Sequence, residues 1–428
     1  MKQRDYSIAL PLAALVAVIL LWIFPERTIL LVPVLGILFA GTILHTGNRS
    51  RVGTLLFVLL IGIPVAGFEN SFLFELFIQI GIYAALALGL NVVVGMAGLL
   101  DLGYAAFFAI GAYTWAIFGS PQANAFIDGG HFPLPGWPYF YVFAALAVLT
   151  ASLVGVLIGL PALRLRGDYL AIVTLGLGEV VRVLANNLDH PVNITNGPKG
   201  ISPVERPPVD WMINSADALG LTLTAPKANS LFFYLLVLAV MGLIILVNRR
   251  LDRSRFGRAW VAIREDEIAA RSMGIPLLRT KLLAFATGAA FSGVMGAIFS
   301  AKQLFVSPES FTLLQSITIL AMVILGGMGS IQGALLGAAA VTLLNIEVLK
   351  SLSDFLNDLR QTGYVLDLGF FEYNFATLST QLEPAKYERM IFGLIMVLMM
   401  IFRPAGMIPE KRHRLELEAH QGKKGAST

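Results

Sequence analysis

Two polar side chains, Asn91 and Asp101, stand among glycines in an otherwise apolar stretch of the sequence. A carboxylate at membrane depth is costly unless it is paired or faces a watery passage, so these residues are candidates for a solute pathway. The neighbouring Gly95 and Gly98 allow a helix to break and its freed amides to line a cavity. The alternative is that Asp101 caps the next helix and that the glycines only pack helices together.

A second Gly-rich stretch, Leu325–Gly333, resembles the first in its Gly-Met pair and in the small-residue helix that follows. It contributes Gly327, Gly329 and Gln332, and the likeness hints at an internal repeat with solute passing between the halves. Neither stretch is a nucleotide site, because the chain has no G-x-x-x-x-G-K-[ST] motif.

Glu179 and Arg182 stand three residues apart on an amphipathic stretch, so a helix places them on one face where they neutralise each other. The pair is either a structural ion pair or a contact for the solute. Thr174 lies on the same stretch. The predicted translocation pathway therefore consists of Asn91, Gly95, Gly98, Asp101, Thr174, Glu179, Arg182, Gly327, Gly329 and Gln332.

The loop 249–281, called the basic loop below, carries nine Lys and Arg residues against four acids. Its pattern predicts a short helix from Gly257 to Met273 that ends at Gly274 as a C-cap. An exposed helix with both charge signs and small residues suits a moving partner, and the alternative is a solvated loop helix. The candidate contact residues are Gly257, Arg258, Glu267, Ala269, Ala270 and Gly274.

The composition requires these stretches to be held by membrane helices. Of 428 residues, 57% are hydrophobic and 14% are charged, which leaves too little polar surface for a soluble fold. The basic residues lie in short loops between apolar runs, so nucleic-acid binding is not expected. The chain has no cysteine, its five histidines lie at loops or ends without metal-ligand spacing, and we expect no metal and no cofactor.

About a dozen apolar runs approach the length of a membrane-spanning helix, roughly 20 residues. They are Ser7–Phe24, Thr28–His45, Val52–Gly67, Phe72–Val94, Leu102–Phe118, Phe140–Leu160, Tyr169–Asn186, Leu231–Val247, Leu282–Ala301, Phe311–Leu325, Ile331–Leu349 and Met390–Phe402. The predicted fold is therefore an all-α polytopic transmembrane helix bundle of about 10 to 12 segments, some of them re-entrant or broken at glycine.

The distribution of charge orients these segments. Alternating them from a cytoplasmic N-terminus places the basic loop and the basic tail inside the cell and the acidic stretch 350–388 outside. The stretch 188–230 then also lies outside, as a surface for a partner or only as a cap on the bundle. Pro25 follows the first run where a cleavage site would need small residues, so that run is expected as a retained helix.

Together, several of these stretches resemble the LivM-type permease subunits of branched-chain amino acid ABC transporters. The resemblance rests on Gly89–Tyr113, Arg166–Glu179, Thr195–Ile201, Gly257–Gly274 and Ile324–Ser330. It implies that the basic loop docks on the ATPase subunit. Ala269-Ala270 followed by Gly274 resembles the family's Glu-Ala-Ala pattern, but Ile268 stands where the Glu would be and the acid is Glu267.

The resemblance also implies the partners and the domain organisation. A permease of this kind is not an enzyme, and it works in the bacterial inner membrane with a second homologous permease, two cytoplasmic ABC ATPases and a periplasmic amino-acid-binding protein. Leucine, isoleucine and valine are the family's usual cargo, and related systems carry other amino acids, amides or urea. The implied divisions are 1–70 as extra N-terminal transmembrane helices, 71–403 as the permease core with exported loops 188–230 and 350–388 and the coupling loop 249–281, and 404–428 as a cytoplasmic tail.

A competing function is a secondary transporter or channel that works alone. Such a protein would need conspicuous intramembrane acids or histidines for ion coupling, and the predicted spans offer few, among them Asp101, Glu75 and Glu179.

Overall fold

The computed structural model describes residues 57–127, 129, 131–165, 167–218, 220, 223–362, 365–367, 372–374, 384–403 and 406–408. The predicted spans Ser7–Phe24 and Thr28–His45 lie outside the described residues, as does all but the beginning of the predicted tail. Helices dominate the described part, because an apolar chain in lipid can satisfy its backbone polar groups only within helices or closed barrels.

The α-helices, in chain order, are α1 (Ile63–Glu69), α2 (Ser71–Leu90), α3 (Ala105–Ala116), α4 (Gly136–Ala162), α5 (Asp168–Asn187), α6 (Asp210–Ala218), α7 (Ala225–Asp252), α8 (Arg255–Glu265), α9 (Glu267–Ser272), α10 (Leu277–Gln303), α11 (Leu313–Gly326), α12 (Ile331–Leu343), α13 (Leu349–Gln361) and α14 (Glu388–Phe402). Three π-helical turns extend them, at Val58–Gly62, Asn91–Met96 and Leu344–Val348, and 3-10 turns lie at Pro121–Ala125, Gly197–Lys199, Pro308–Phe311 and Pro384–Tyr387.

Six helices of the described part are long and apolar enough to cross a membrane. They are Ser71–Met96, Gly136–Ala162, Ala225–Asp252, Leu277–Gln303, Pro308–Gly326 and Ile331–Gln361, and shorter apolar helices lie at Val58–Glu69, Ala105–Ala116 and Gly393–Phe402. The prediction of an all-α polytopic bundle with broken segments is confirmed. Two segments differ from the predicted spans: Tyr169–Asn186 forms the amphipathic helix α5, and Leu102–Phe118 shortens to α3 because the residues before Ala105 are not helical.

The described chain divides into two compact units. One contains the residues up to Ile80 and those from Ala339 to Arg403, and the other contains Gly81 to Ala338 with residues 406–408. In the first unit, α13 contacts the 3-10 turn Pro384–Tyr387, and a short antiparallel hairpin pairs Val365–Asp367 with Glu372–Asn374. This hairpin was not expected from the sequence. All the described pathway residues and the basic loop belong to the second unit.

The core of the second unit is built around α10, which packs against α3 and α4. Small residues make this packing close: a Cβ on Gly111 would overlap the carbonyl oxygen of Gly293, so the two backbones touch directly. In lipid, such small-residue contacts hold helices together by van der Waals packing, because apolar side chains gain little by leaving the lipid. The buried Trp115 ring packs edge-on against Phe140 of α4 and closes this core at one end.

Candidate functional site

The first Gly-rich stretch is a real interruption of a helix. α2 continues into the π-helical turn Asn91–Met96, and the chain is then non-helical until Tyr104. Gly98 has a φ of 69°, a left-handed conformation that glycine adopts at little cost. Because π-turns are rare and are often found at functional sites, the segment Asn91–Tyr104, called the first break below, is a candidate moving part.

Side chains of two helices hold the first break in place. The Leu102 amide donates to Thr174 Oγ1 at 3.1 Å, and the Ala105 amide donates to Ser316 Oγ at 2.9 Å. A Cβ on Gly103 would overlap the Thr174 carbonyl oxygen, so the break lies directly on α5. The structure therefore brings Asp101 and Thr174, predicted separately, into one region.

Asp101 shapes the turn in front of α3. Its Oδ1 accepts from the Gly103 amide at 2.9 Å, whereas the N-cap residue of α3 is Tyr104. Asp101 therefore closes a turn before α3 and, contrary to the capping alternative, does not cap that helix. The second carboxylate oxygen, Oδ2, is buried and has no hydrogen-bond partner within the described part of the chain. A buried unpaired carboxylate oxygen is costly, and it is the kind of group that a passing solute or water can satisfy.

Glu179 and Arg182 form the predicted pair on α5 and extend it to a third residue. Arg182 Nε donates to Glu179 Oε1 at 2.7 Å, and its Nη1 lies 3.3 Å from Glu309 Oε1. Glu179 also lines a small cleft with Gly103, Gly178 and Ser316. The charged group thus stands beside the first break, but its side chains keep some access to solvent, as structural and solute-binding ion pairs both can.

The second Gly-rich stretch is also an interruption, between α11 and α12. Gly327 and Gly329 have φ values of 120° and 81°, and Ser330 Oγ accepts from the Gly333 amide at 3.0 Å to begin α12. We call Gly327–Ser330 the second break. Residues 407 and 408 donate their amides to the Leu325 and Gly326 carbonyl oxygens, both at 2.9 Å.

The two breaks meet through one side chain. The Gly329 amide donates to Asn91 Oδ1 at 2.8 Å, and a Cβ on Gly95 would overlap both Asn91 Oδ1 and the Gly329 nitrogen. Asn91, Gly95 and Gly329 are therefore in direct contact. Gln332 is different, because it is exposed on α12, and the described structure shows no hydrogen bond from it to the other pathway residues.

The basic loop folds as two helices instead of the single predicted one. Ser254 Oγ accepts from the Phe256 and Gly257 amides and begins α8. The Asp266 carboxylate accepts from the Ile268 and Ala269 amides, so this residue ends α8 and caps α9. An aspartate whose side chain competes for backbone amides is a preferred N-cap, which explains the interruption.

Gly274 ends α9 as predicted. It has a φ of 82°, its amide donates to the Arg271 carbonyl at 3.0 Å, and the Ile275 amide donates to the Ala270 carbonyl at 3.1 Å. These two bonds are the Schellman pattern that follows a left-handed C′ residue.

The inner face of the basic loop is fixed to α10. The buried Trp260 ring donates from Nε1 to the Thr280 carbonyl at 2.8 Å, and Lys281 Nζ lies 3.0 Å from Glu267 Oε1. Ala270 is buried on the same side, whereas Ala269 is exposed. Of the predicted contact residues, Arg258 and Gly274 are also exposed and Gly257 is buried against the end of α7.

The exposed side of α8 and α9, called the outer face below, carries apolar side chains that were not among the predicted contact residues. Phe256, Ile268 and Met273 are exposed by 53%, 68% and 83%. Exposed apolar groups on such polar helices are candidate contacts for a protein partner. In the sequence, these three residues could be recognised only as apolar residues that interrupt a charged stretch.

Arg264 was also missed, although it links the basic loop to the first break. Its Nη1 donates to the Gly95 carbonyl oxygen, and a Cβ on Gly98 would lie 2.7 Å from Arg264 Cγ. Nothing in the spacing of one arginine among many in this loop could have selected it.

At the other end of the second unit, residues 188–209 form an ordered cap. Thr195 Oγ1 donates to the Ala185 carbonyl at 2.7 Å, Ile201 pairs with Val306, and Trp115 Nε1 donates to the Glu205 carbonyl at 3.0 Å. Within the cap, a hydrogen bond from His190 lowers the pKa of Asp189. The predicted outer stretch is therefore structured.

No group of three or more His, Asp or Glu residues that could hold a metal ion occurs among the residues that the structure describes.

The family model for the permease component of the branched-chain amino acid transport system matches residues 72–400. The LivM permease protein of the high-affinity branched-chain amino acid transport system of Escherichia coli is 41% identical over 348 residues, which cover 79% of this chain and 70% of that protein. LivM of Salmonella typhimurium is 40% identical over 353 residues, 80% of this chain and 71% of that protein. LivH of E. coli, another permease protein of that system, is 24% identical over 255 residues, 60% of this chain and 78% of that protein. No solved structure matches the chain.

Proposed function

The chain belongs to the family of permease components of branched-chain amino acid transport systems, and from this we propose that it forms half of the membrane pathway of an ATP-driven importer. Its proposed cargo is leucine, isoleucine and valine, or related small amino acids and amides. The chain itself binds no ATP by a P-loop, so partner subunits supply the hydrolysis.

The observation that carries this proposal is the position of the basic loop. Helices α8 and α9 carry exposed apolar and basic side chains, and Arg264 of α8 donates a hydrogen bond to the first break. A loop that only connects two spans would not need both features. We therefore assign the outer face, with Phe256, Ile268, Met273 and Ala269, to contact with a cytoplasmic ATPase subunit.

The remaining partners follow from the same assignment. A second permease subunit, related as the two permease proteins LivM and LivH are, completes the pathway. The cap at residues 188–209 lies at the end of the second unit opposite the basic loop, and it is the surface proposed for a solute-loaded periplasmic binding protein. The protein then lies in a bacterial inner membrane with both termini in the cytoplasm. This orientation agrees with the rule that loops rich in Lys and Arg face the cytoplasm.

In this mechanism the two breaks are the moving parts and the pathway runs beside them. Closure of the ATPases on ATP displaces α8 and α9, and the broken helices shift between arrangements that open the bundle to one side or the other. The unpaired Asp101 Oδ2 and the Glu179 carboxylate at the cleft are the polar groups proposed to contact the solute.

The test is uptake of labelled leucine by cells with and without the gene, followed by reconstitution of the purified protein in vesicles. We expect uptake to depend on the gene, on ATP and on the ATPase subunits. Accumulation of leucine by vesicles that contain this chain alone would contradict the proposal and support a stand-alone transporter or channel. An unchanged rate of leucine uptake without the gene, with loss of uptake of another amino acid or amide, would change only the cargo.

A further inference from the structure

Four residues form a continuous connection between the basic loop and both breaks. Arg264 of α8 donates to the Gly95 carbonyl, Gly95 lies against Asn91 and Gly329, and Asn91 accepts from the Gly329 amide. These residues are far apart in sequence, with 169 positions between Arg264 and Gly95 and 238 between Gly329 and Asn91. We call this cluster the joint.

The residues at the centre of the joint are packed in direct contact, with no gap between them. A Cβ on Gly95 would overlap Asn91 Oδ1 and the Gly329 nitrogen, and a Cβ on Gly98 would lie 2.7 Å from Arg264 Cγ. A displacement of α8 therefore pushes on the backbone of the first break instead of being absorbed by a gap between side chains. Closely packed contacts of this kind transmit displacement and do not deform continuously.

The two breaks that the joint connects also have features that favour a change of backbone conformation. The first break begins with a π-turn, a rare helical form that is often found at functional sites, and Gly98, Gly327 and Gly329 take backbone conformations that few other residues adopt. Asn91 Nδ2 is buried and has no hydrogen-bond partner in the described part of the chain. An amide with an unused donor can gain a bond when the breaks rearrange, which favours a second arrangement.

We propose that Arg264 is the positioning residue through which movement of the cytoplasmic helices α8 and α9 reaches both Gly-rich breaks, with Asn91 as the link between the breaks. This inference rests on the proposed function, because it needs ATPase subunits that move the basic loop. It goes beyond docking: Arg264 acts inside the permease and sets how much transport each ATP hydrolysed produces. Loss of Arg264 therefore leaves ATP hydrolysis running and disconnects it from the breaks.

The first experiment measures leucine uptake and ATP hydrolysis by the assembled transporter with Arg264→Gln. We expect uptake per ATP to fall about tenfold, while ATP hydrolysis stays within about twofold of the wild type. Arg164→Gln is the matched control, because it removes the same charge from an exposed position outside the basic loop. It should leave both rates within about twofold.

The second experiment tests whether the four residues act as one unit. Asn91→Leu removes the acceptor for the Gly329 amide and should uncouple transport in the same way, whereas Asn91→Asp keeps an acceptor oxygen and should restore part of the coupling. Both substitutions interrupt the same connection between the basic loop and the second break. The loss of uptake per ATP in the Arg264→Gln, Asn91→Leu double variant should therefore be no larger than the loss in the more impaired single variant. Losses that multiply would show two independent contacts and overturn the joint.

A third measurement follows movement without transport. The natural chain has no cysteine, and Met328, between the two glycines of the second break, is 47% exposed, so Met328→Cys can be labelled selectively. Its labelling rate should change when ATP is added to the assembled transporter, and Arg264→Gln should remove that change. A change of the same size in the Arg264→Gln background would overturn the proposal.

The outcomes separate the two proposals. If the wild-type transporter neither hydrolyses ATP nor accumulates solute with its ATPase subunits, the proposed function fails. If the wild type does both and Arg264→Gln loses ATP hydrolysis and uptake by the same factor, Arg264 serves only docking, and the joint is wrong while the function stands. Should Arg264→Gln fail to reach the membrane, Asn91→Leu, which lies away from the docking face, decides the question.

Discussion

At the residue scale, the charged group on α5 offers the clearest choice between a structural and a solute-binding role. Glu179 and Glu309 both contact Arg182, but only Glu179 lines the cleft beside the first break. Ion pairs between partly exposed side chains in water contribute about 0 to 1 kcal/mol to stability. A role in stability alone would therefore make the two glutamates nearly interchangeable.

We predict that Glu179→Gln lowers leucine uptake by about tenfold, while Glu309→Gln stays within about twofold of the wild type. The physical reason is that both substitutions remove one negative charge from Arg182, but only the first removes it from the cleft. Uptake assays on the two variants, matched for the amount of protein in the membrane, measure the difference. Equal effects of the two substitutions would assign the group to structure.

The residue scale also shows where sequence reasoning stops. The pair Glu179 and Arg182 could be predicted because a helix fixes the spacing of residues on one face. Glu309 and Arg264 could not, since their contacts lie 127 and 169 positions away and depend on how helices pack. Asn91 was found because an amide among apolar residues is costly, yet its partner Gly329 has no side chain to mark it.

At the scale of elements, composition and local rules predicted most of what the described structure contains. Apolar runs located the spans, and glycines located both breaks and the end of α9. The division of the basic loop at Asp266 was missed, because helix propensity favours continuation and only the observed side-chain bonds reveal the cap. The shortened α3 was missed for a related reason: bonds from the first break to Thr174 and Ser316 replace a helical turn.

The two faces of α9 lead to a prediction that separates folding from docking. Ala270 is buried beside α10, and Ala269 is exposed on the face assigned to the ATPase. Ala270→Leu should lower the melting temperature of the isolated protein, because overpacking a filled site costs about 1 to 3 kcal/mol. Ala269→Leu should leave that temperature unchanged and weaken binding of the ATPase subunit by about tenfold, because it places a bulky group in the interface.

Thermal unfolding of the two variants, with binding of the ATPase subunit measured on the same samples, provides the check. Destabilisation of the isolated protein by Ala269→Leu would mean that this face packs within the permease and is not free for a partner.

At the scale of the whole molecule, the predicted alternation of spans can be compared with the contacts between loops of the second unit. The first break contacts both the second break and the basic loop, which is predicted on the cytoplasmic side. In the stretch 188–230, which is predicted outside, the Glu205 amide donates to the Gly119 carbonyl and Ile201 pairs with Val306. Which end faces the cytoplasm is a separate question that charge alone addresses.

Labelling of single cysteines decides that orientation directly, because the chain has none of its own. Met273 in the basic loop and Trp211 beyond the cap are exposed by 83% and 59%, so a cysteine at either position is accessible to a thiol reagent without disturbing the core. With a reagent that cannot cross the inner membrane, Trp211→Cys should react in cells whose inner membrane is intact. Met273→Cys should react only after that membrane is permeabilised, since the basic loop must face the ATP of the cytoplasm. The reverse pattern would place α8 and α9 where no ATPase can reach them, and the mechanism proposed for the two breaks would then have no source of work.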